Sequence, residues 1–131
     1  MGVPQIDFSH NLMTDRAVVG ALPPEARMRP YTSATAMRSG WCWEIPMREE
    51  RHLGYVYASA FASDEEARAE FVQRFGIRGP TRVVHFRAGR RADFSVGNVA
   101  ALGNAYGFVE PLERGASQTD VACSEEPDQR R

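Results

Sequence analysis

Short runs of hydrophobic residues, several of them alternating with polar ones, predict a series of strands along the first half of the chain. Residues 16–21 predict a strand that ends before the prolines following Leu22, and residues 31–37 alternate Thr and Ser with Ala and Met. The stretch 40–57 predicts a hairpin whose turn is formed by residues 47–50. The first half of the chain is therefore expected to form antiparallel sheet.

Alternation assigns the aromatic side chains of the predicted hairpin to faces. One face of its first strand carries Trp41, Trp43 and Ile45. One face of its return strand carries Tyr55 and Tyr57. The four aromatic rings could form a flat-sided box for an aromatic ligand, or they could be a sheet face that packs into a core, which is the more common fate of such residues.

A helix is predicted to begin after Ser63. Ser63 and Glu66 have the spacing of a capping box, and Gly76 is the residue type that most often ends a helix. Between these signals the hydrophobic residues follow helical spacing at Ala67, Phe71, Val72 and Phe75.

The second half of the chain predicts further strands separated by glycine-containing turns. We expect a strand over 81–86, a turn at 89–91 and a strand over 93–96. The run 99–102 has the pattern of a strand buried on both faces, and the residues from Gly103 to Gly107 predict a sharp turn. The whole is interpreted as a mostly antiparallel sheet with one clear helix, part of an α/β architecture.

Composition limits the possible functions. The net charge of −1 gives no general reason to expect nucleic acid or an anionic membrane as a partner, and no apolar run approaches the length of a membrane span. Cys42 and Cys123 lack metal or redox spacing, so a reduced thiol pair in a cytoplasmic protein is expected. All 16 basic residues are arginine, so no lysine can act as a base or a proton donor.

Two features have the residue types of a chemical site. A glycine-rich turn such as the one from Gly103 to Gly107 can present backbone N–H groups to an anion or a polarised carbonyl, although a purely structural turn is the more common case. Glu110 and Glu113 lie three residues apart, where a carboxylate could act as a general base or could simply be solvated. The three histidines show no metal-ligand spacing, so no metal site is predicted.

Four ordered blocks together resemble the flavin-dependent halogenases of the tryptophan halogenase family. The segment 41–46, Trp-Cys-Trp-Glu-Ile-Pro, is similar to that family's Trp-x-Trp-x-Ile-Pro signature. The other blocks are residues 14–17 with 30–32, residues 54–67, and residues 86–113. The resemblance covers roughly residues 6–113.

This resemblance implies a flavin-monooxygenase-like FAD-binding fold and a reaction. Enzymes of the family use reduced FAD, oxygen and chloride or bromide to halogenate an aromatic substrate such as tryptophan, with a flavin reductase as partner. A lysine delivers the electrophilic halogen to the ring, and a glutamate assists, because a nearby carboxylate can stabilise and deprotonate a cationic ring intermediate.

The resemblance also implies three sets of site residues. The catalytic carboxylate is Glu113. The signature between the flavin and substrate sites is formed by Trp41, Trp43, Ile45 and Pro46. The flavin contacts are Gly103, Asn104, Gly107, Phe108 and Pro111.

Departures from the family pattern shape the expected activity. The chain has no Gly-x-Gly-x-x-Gly fingerprint and no lysine, and Arg114 stands where the family has small and hydroxyl residues near the halide. We interpret residues 1–113 as an incomplete part of the catalytic core, from a truncated gene product or a split enzyme, and 114–131 as a polar, disordered tail. The isolated chain is expected to be inactive. The alternatives are a small aromatic-ligand binding module, or a subunit that needs a separate flavin-domain polypeptide.

Overall fold

The computed structural model describes residues 3–109. The described residues divide into two compact units, one formed by Met13–Phe86 and the other by residues 3–12 together with residues 87–109. The strands are β1 (Gln5–Asp7), β2 (Arg16–Leu22), β3 (Ser33–Met37), β4 (Gly40–Pro46), β5 (Arg51–Tyr57), β6 (Arg82–His85), β7 (Gly89–Arg91), β8 (Ser95–Val96), β9 (Val99–Ala100) and β10 (Gly107–Phe108). The helix α1 spans Asp64–Phe75, and a short 3-10 helix spans Gly103–Ala105.

The unit Met13–Phe86 is built on a five-stranded antiparallel sheet of order β3-β4-β5-β2-β6. The predicted hairpin is confirmed, because β4 pairs with β5 over its full length from Gly40 opposite Tyr57 to Pro46 opposite Arg51. Pro46 lies beyond the residues of β4 that pair with β3, so its missing N–H removes no bond from that side of the sheet. The turn residues and the alternation along each strand are therefore sufficient to predict the pairing of β4 with β5.

The predicted helix is confirmed at both ends. The Ser63 hydroxyl accepts a hydrogen bond from the backbone N–H of Glu66, and the Glu66 carboxylate accepts one from the backbone N–H of Ser63. Gly76 ends the helix in the left-handed conformation, with φ of +66°, and its N–H donates to the carbonyl of Val72. These bonds satisfy backbone groups that a helix end otherwise leaves without a partner.

The core of this unit lies between α1 and one face of the sheet. Val18, Leu53, Tyr55 and Tyr57 are fully buried there, and α1 contributes the fully buried Ala67 and Phe71. The prediction that Tyr55 and Tyr57 pack into a core is thus confirmed.

The alternative of a four-aromatic box is wrong. Tyr55 is paired with Cys42, whereas Trp43 is paired with Gly54, so the register places the tyrosines on the helix side of the sheet and the tryptophans on the other side. Directly opposite residues share a face of the sheet, and neighbours along a strand alternate between faces. The tyrosines and the tryptophans therefore point to opposite faces.

The second unit contains a three-stranded antiparallel sheet of order β1-β7-β10 and the small hairpin β8-β9. The turn predicted at residues 89–91 is wrong, because this segment is the central strand β7. The strand predicted as buried on both faces at 99–102 is also wrong, since Val99 is 65% exposed and Leu102 is 61% exposed. Of these four residues, only Val99 and Ala100 are in a strand, where they pair with Val96 and Ser95 of β8. The turn between the two strands contains Gly97, which has a φ of +61°.

Several predictions lie outside the described residues. They are the roles of Glu110, Pro111 and Glu113, the state of Cys123, and the boundary and character of the tail 114–131. Among residues 3–109, no helix is long and apolar enough to cross a membrane.

Candidate functional site

The signature strand β4 presents its aromatic residues on the sheet face opposite to α1. Trp41 lies across from Val56, Trp43 from Gly54 and Ile45 from His52. A methyl group added at Gly54 would lie 2.3 Å from the Trp43 indole, so the ring rests flat against the backbone of β5. Val56 is fully buried although it is on this face. The signature thus forms a fixed apolar wall that is supported by its neighbouring strand.

An open depression of about 340 Å³ lies beside this wall. Its lining includes Trp43, Val19 and Ala21, and its polar members are Glu50, His52, Thr81 and Arg82. The His52 Nε2 lies 2.6 Å from Oε1 of Glu50, and both side chains are about half exposed. The depression is largely apolar, which suits a flat organic molecule better than a small ion.

The other side of β4 carries a charged side chain, Glu44. Its Oε1 accepts hydrogen bonds from Arg29 at 2.7 Å and from Arg51 at 3.0 Å, and the carboxylate is only 14% exposed. Neighbouring Cys42 is buried, and burial raises the pKa of its thiol to about 12. A thiol with that pKa remains protonated at neutral pH and is not a candidate nucleophile.

The glycine segment of the second unit has a local structural explanation at two positions. Gly103 has a φ of +54°, in the left-handed region that favours glycine. A methyl group at Gly107 would lie 2.9 Å from the Cβ of Arg90, because β10 passes directly beside β7. The Arg90 guanidinium also donates to the hydroxyl of Tyr106 at 3.2 Å. Contacts within the protein therefore explain why this segment forms a tight turn, and no ligand is needed to explain it.

An apolar cavity lies beside the glycine segment. A cavity of about 370 Å³ lies against the segment and is lined in part by Phe94, Val96, Val99, Ala101 and Ala105. Its mainly apolar wall and the adjoining turn suit an aromatic ring system. The sequence lacks the Gly-x-Gly-x-x-Gly fingerprint that holds the pyrophosphate of a dinucleotide. Of the glycine segment, Ala105 lines this cavity.

The structure brings together some of the predicted site residues. Trp41, Trp43 and Ile45 share one face of the sheet, as predicted. Gly103, Asn104, Gly107 and Phe108 lie in the other unit, in the 3-10 helix and in β10. In the described part of the chain, no group of His, Cys, Asp and Glu side chains could hold a metal ion.

A polar cluster around Asp64 was not predicted from the sequence. Asp64, the first residue of α1, accepts hydrogen bonds from the Arg16 guanidinium and from the Tyr57 hydroxyl, the latter at 2.7 Å. The bond from Arg16, followed by that from Tyr57, holds the pKa of the Asp64 carboxyl below its ordinary value. Burial, followed by the bond to Asp64, raises the pKa of Tyr57. The cluster connects β2, β5 and α1 at one end of the sheet.

We expect this cluster to make stability depend on pH in the acid range. Because the folded-state pKa of Asp64 is lowered, its contribution is complete above the unfolded-state pKa of about 3.9 and is lost as the pH falls through the folded-state pKa. Asp64→Asn should therefore lower the melting temperature at pH 7, and the difference from the unsubstituted chain should narrow towards pH 3. Melting curves from circular dichroism across this range test it, with exposed Asp93→Asn as the control. A difference that stays constant with pH would contradict the prediction.

The comparisons with known proteins agree with this geometry. The family model described as tryptophan halogenase matches residues 1–122. The chain belongs to the tryptophan halogenase family. The tryptophan 7-halogenase RebH of Lentzea aerocolonigenes is 40% identical in an alignment 119 residues long, which covers 86% of this chain and 22% of that protein. The tryptophan 6-halogenase ThaL of Streptomyces albogriseolus is 39% identical over an equal length.

Solved structures of flavin-dependent halogenases share the fold. MibH, described as a tryptophan 5-halogenase, is 42% identical with a TM-score of 0.79, covering 95% of this chain and 25% of that one. BrvH from Brevundimonas is 32% identical with a TM-score of 0.81, covering 92% and 25%. The mostly antiparallel α/β fold predicted from the sequence is thus confirmed. The chain spans about a quarter of the length of these relatives.

Proposed function

We propose that this chain supplies the signature wall, a flavin-facing turn and the catalytic carboxylate of a flavin-dependent halogenase that acts on an aromatic substrate such as tryptophan. The observation that carries the proposal is the Trp-x-Trp-x-Ile-Pro strand, paired in full and with its aromatic rings on one face, within a fold that superposes on halogenases with TM-scores of 0.79 and 0.81. Chloride or bromide is the proposed co-substrate, and a flavin reductase is the proposed partner.

The signature wall excludes water from the reaction in this proposal. Trp41 and Trp43 lie on the face away from α1, and Ile45 continues the apolar surface along the strand. A dry, rigid wall limits side reactions of an electrophilic halogen with water. The Trp43 ring is well suited to this because the absence of a side chain at Gly54 lets it lie against the sheet.

Flavin contact is assigned to the second unit. The residues that would touch FAD are Gly103, Asn104, Gly107, Phe108 and Pro111. The tight turn that holds the described members of this set, and the apolar cavity beside Ala105 in the same turn, support the assignment. When bound, reduced FAD supplies the reducing equivalents that activate oxygen for oxidation of the halide.

Glu113 is the proposed catalytic carboxylate. Transfer of an electrophilic halogen to a ring creates a cation that must lose a proton, and a carboxylate near the reacting carbon can stabilise the cation and accept the proton. The lysine that the family uses, and the phosphate-binding fingerprint for FAD, come in this proposal from polypeptide outside these 131 residues. That polypeptide is either part of the same protein or a separate flavin-domain partner. Cytoplasmic location is part of the same proposal.

A chimera tests the proposed function. Residues 1–113 of this chain, which stop before Arg114, would replace the corresponding segment of the RebH relative, which provides the lysine, the dinucleotide fingerprint and the residues near the halide. We expect the chimera to bind FAD and to chlorinate tryptophan when a flavin reductase and NADH are supplied, whereas the 131-residue chain alone yields no product. A chimera that retains FAD with the parent's absorbance but forms no halogenated product would contradict the proposal.

A stand-alone module for aromatic ligands has less support. That hypothesis relied on four aromatic residues of one hairpin, and two of them, Tyr55 and Tyr57, are fully buried beneath α1 on the opposite face. The remaining depression beside Trp43 is open to solvent and belongs to the same wall as the signature. We therefore propose no separate binding function.

A further inference from the structure

The connection between β2 and β3, residues 23–32, is here named the strap. Most of its residues are exposed, including Met28 at 55% and Tyr31 at 58%. Within residues 3–109, no backbone-to-backbone hydrogen bond links the strap to another segment. Apolar burial and backbone pairing, the usual means of holding a segment of this length, therefore contribute little here.

Ion pairs hold the strap instead. Arg29 forms a two-pronged pair with Glu25 at 2.9 and 3.0 Å, and its guanidinium also reaches Glu44 of β4 at 2.7 Å. Arg51 of β5 contacts Glu44 at 3.0 Å and Glu25 at 3.2 Å, and it donates to the Pro23 carbonyl at 3.0 Å. Two cations and two carboxylates thus alternate in a closed ring, with two members on the strap and two on the hairpin.

The position of Glu44 makes the ring relevant to the signature. Glu44 lies between Trp43 and Ile45 in the sequence, and strand alternation places its side chain on the opposite face from theirs. Glu44 is also the least exposed of the four charged side chains in the ring, and it belongs to the signature strand itself. The strap is tied to the back of the strand whose front is the aromatic wall.

We propose that the strap is an electrostatic latch on the signature strand, closed while the ring of Glu25, Arg29, Glu44 and Arg51 is intact and opened when the ring is broken. An isolated surface pair contributes little stability, but a network of alternating charges with two-pronged geometry contributes more. Added salt weakens such pairs, since the Debye length falls from about 10 Å at 0.1 M to about 3 Å at 1 M. The latch is independent of the proposed halogenase chemistry.

Limited trypsin digestion of the 131-residue chain tests the latch. The exposed bond after Arg27 lies in the strap, while the bond after Arg29 precedes Pro30 and resists trypsin. The bond after Arg78, in an exposed loop outside the ring, serves as an internal reference. Cleavage after Arg27 relative to Arg78 follows the population of the open strap when opening is fast compared with cleavage.

We expect Glu44→Gln to raise this cleavage ratio about three- to tenfold at low salt, as the loss of a partly shielded network predicts. Sodium chloride at 0.5 M should raise the ratio in the unsubstituted chain and raise it less in the variant, which keeps only the Glu25–Arg51 ion pair between the strap and the hairpin. Exposed Glu49→Gln, which removes the same charge from the adjacent turn, should leave the ratio unchanged. An unchanged ratio in Glu44→Gln, or an equal salt response in both proteins, overturns the proposal.

A second variant separates the latch from general unfolding. If Glu44→Gln destabilises the whole sheet, cleavage rises at both bonds together and circular dichroism shows a lower melting temperature. Glu25→Gln then decides, because it removes a carboxylate from the strap and leaves β4 and β5 unaltered. A raised ratio in Glu25→Gln with an unchanged melting temperature supports the latch, and an unchanged ratio overturns it.

Discussion

Phe71→Ala is expected to lower the free energy of unfolding by about 3–5 kcal/mol, because it removes a large, fully buried ring and leaves a cavity. Phe71 and Ala67 are the buried residues of α1, and Phe71 is the larger of the two, while Val72 and Phe75 pack against the same core partly buried. The ring packs over Gly20 of β2, where an added methyl group would lie 3.3 Å from it, and edge-on to Phe75 at 5.7 Å between centroids.

Urea denaturation followed by circular dichroism measures this effect. Phe61→Ala removes the same side chain from a site that is 67% exposed, and we expect it to change stability by no more than about 0.5 kcal/mol. Since domains of this size have total stabilities of about 5–15 kcal/mol, Phe71→Ala could unfold much of the protein. Phe71→Leu, which leaves a smaller cavity, keeps the measurement in range. Equal changes in the free energy of unfolding for Phe71→Ala and Phe61→Ala would show that the packing of α1 against the sheet does not stabilise the core.

The helix and the first hairpin could be predicted because their determinants are close together in the sequence. The capping box joins Ser63 to a residue three positions later, and Gly76 directly follows the last turn. The hairpin needs only a four-residue turn and strand alternation. Such local signals agree with the final structure because tertiary contacts do not override them.

The errors arise where partners are distant in the sequence. The central strand β7, which was predicted as a turn, is a strand because residues 5–7 pair on one side of it and residues 107–108 on the other. No pattern within residues 89–91 carries that information. The aromatic box failed for a related reason: alternation assigns faces within each strand, but only the register between strands shows that Tyr55 opposes Cys42 and not a tryptophan.

In the candidate site, too, features determined by neighbouring residues could be predicted and features determined by distant residues could not. The signature could be recognised because its residues are consecutive. The ring of charges that supports it from behind could not, because Arg29 and Arg51 meet Glu44 only after three segments have come together. Charged residues at separations of 15 and 7 along the chain have no diagnostic spacing, and most such residues in other proteins are solvated.

Glu113→Gln in the RebH chimera is expected to lower kcat about 10²- to 10⁴-fold, the range that a positioned general base contributes. Glutamine keeps the size of the side chain but can neither accept the proton of the ring cation nor stabilise its charge as a carboxylate does. FAD binding should be unchanged, because the substitution alters no proposed flavin contact. Rates of tryptophan chlorination at saturating substrate, with flavin absorbance as the binding check, measure both quantities.

Glu110→Gln is the matched control, since it removes an identical carboxylate three residues earlier and outside the proposed chemistry. It should retain kcat within about threefold, a difference of less than 1 kcal/mol in the barrier. Equal losses in the two variants would indicate that the segment needs negative charge in general and would remove Glu113 from its assigned role. A large loss confined to Glu113→Gln, with FAD retained, would support a role for that carboxylate in the steps that follow cofactor binding.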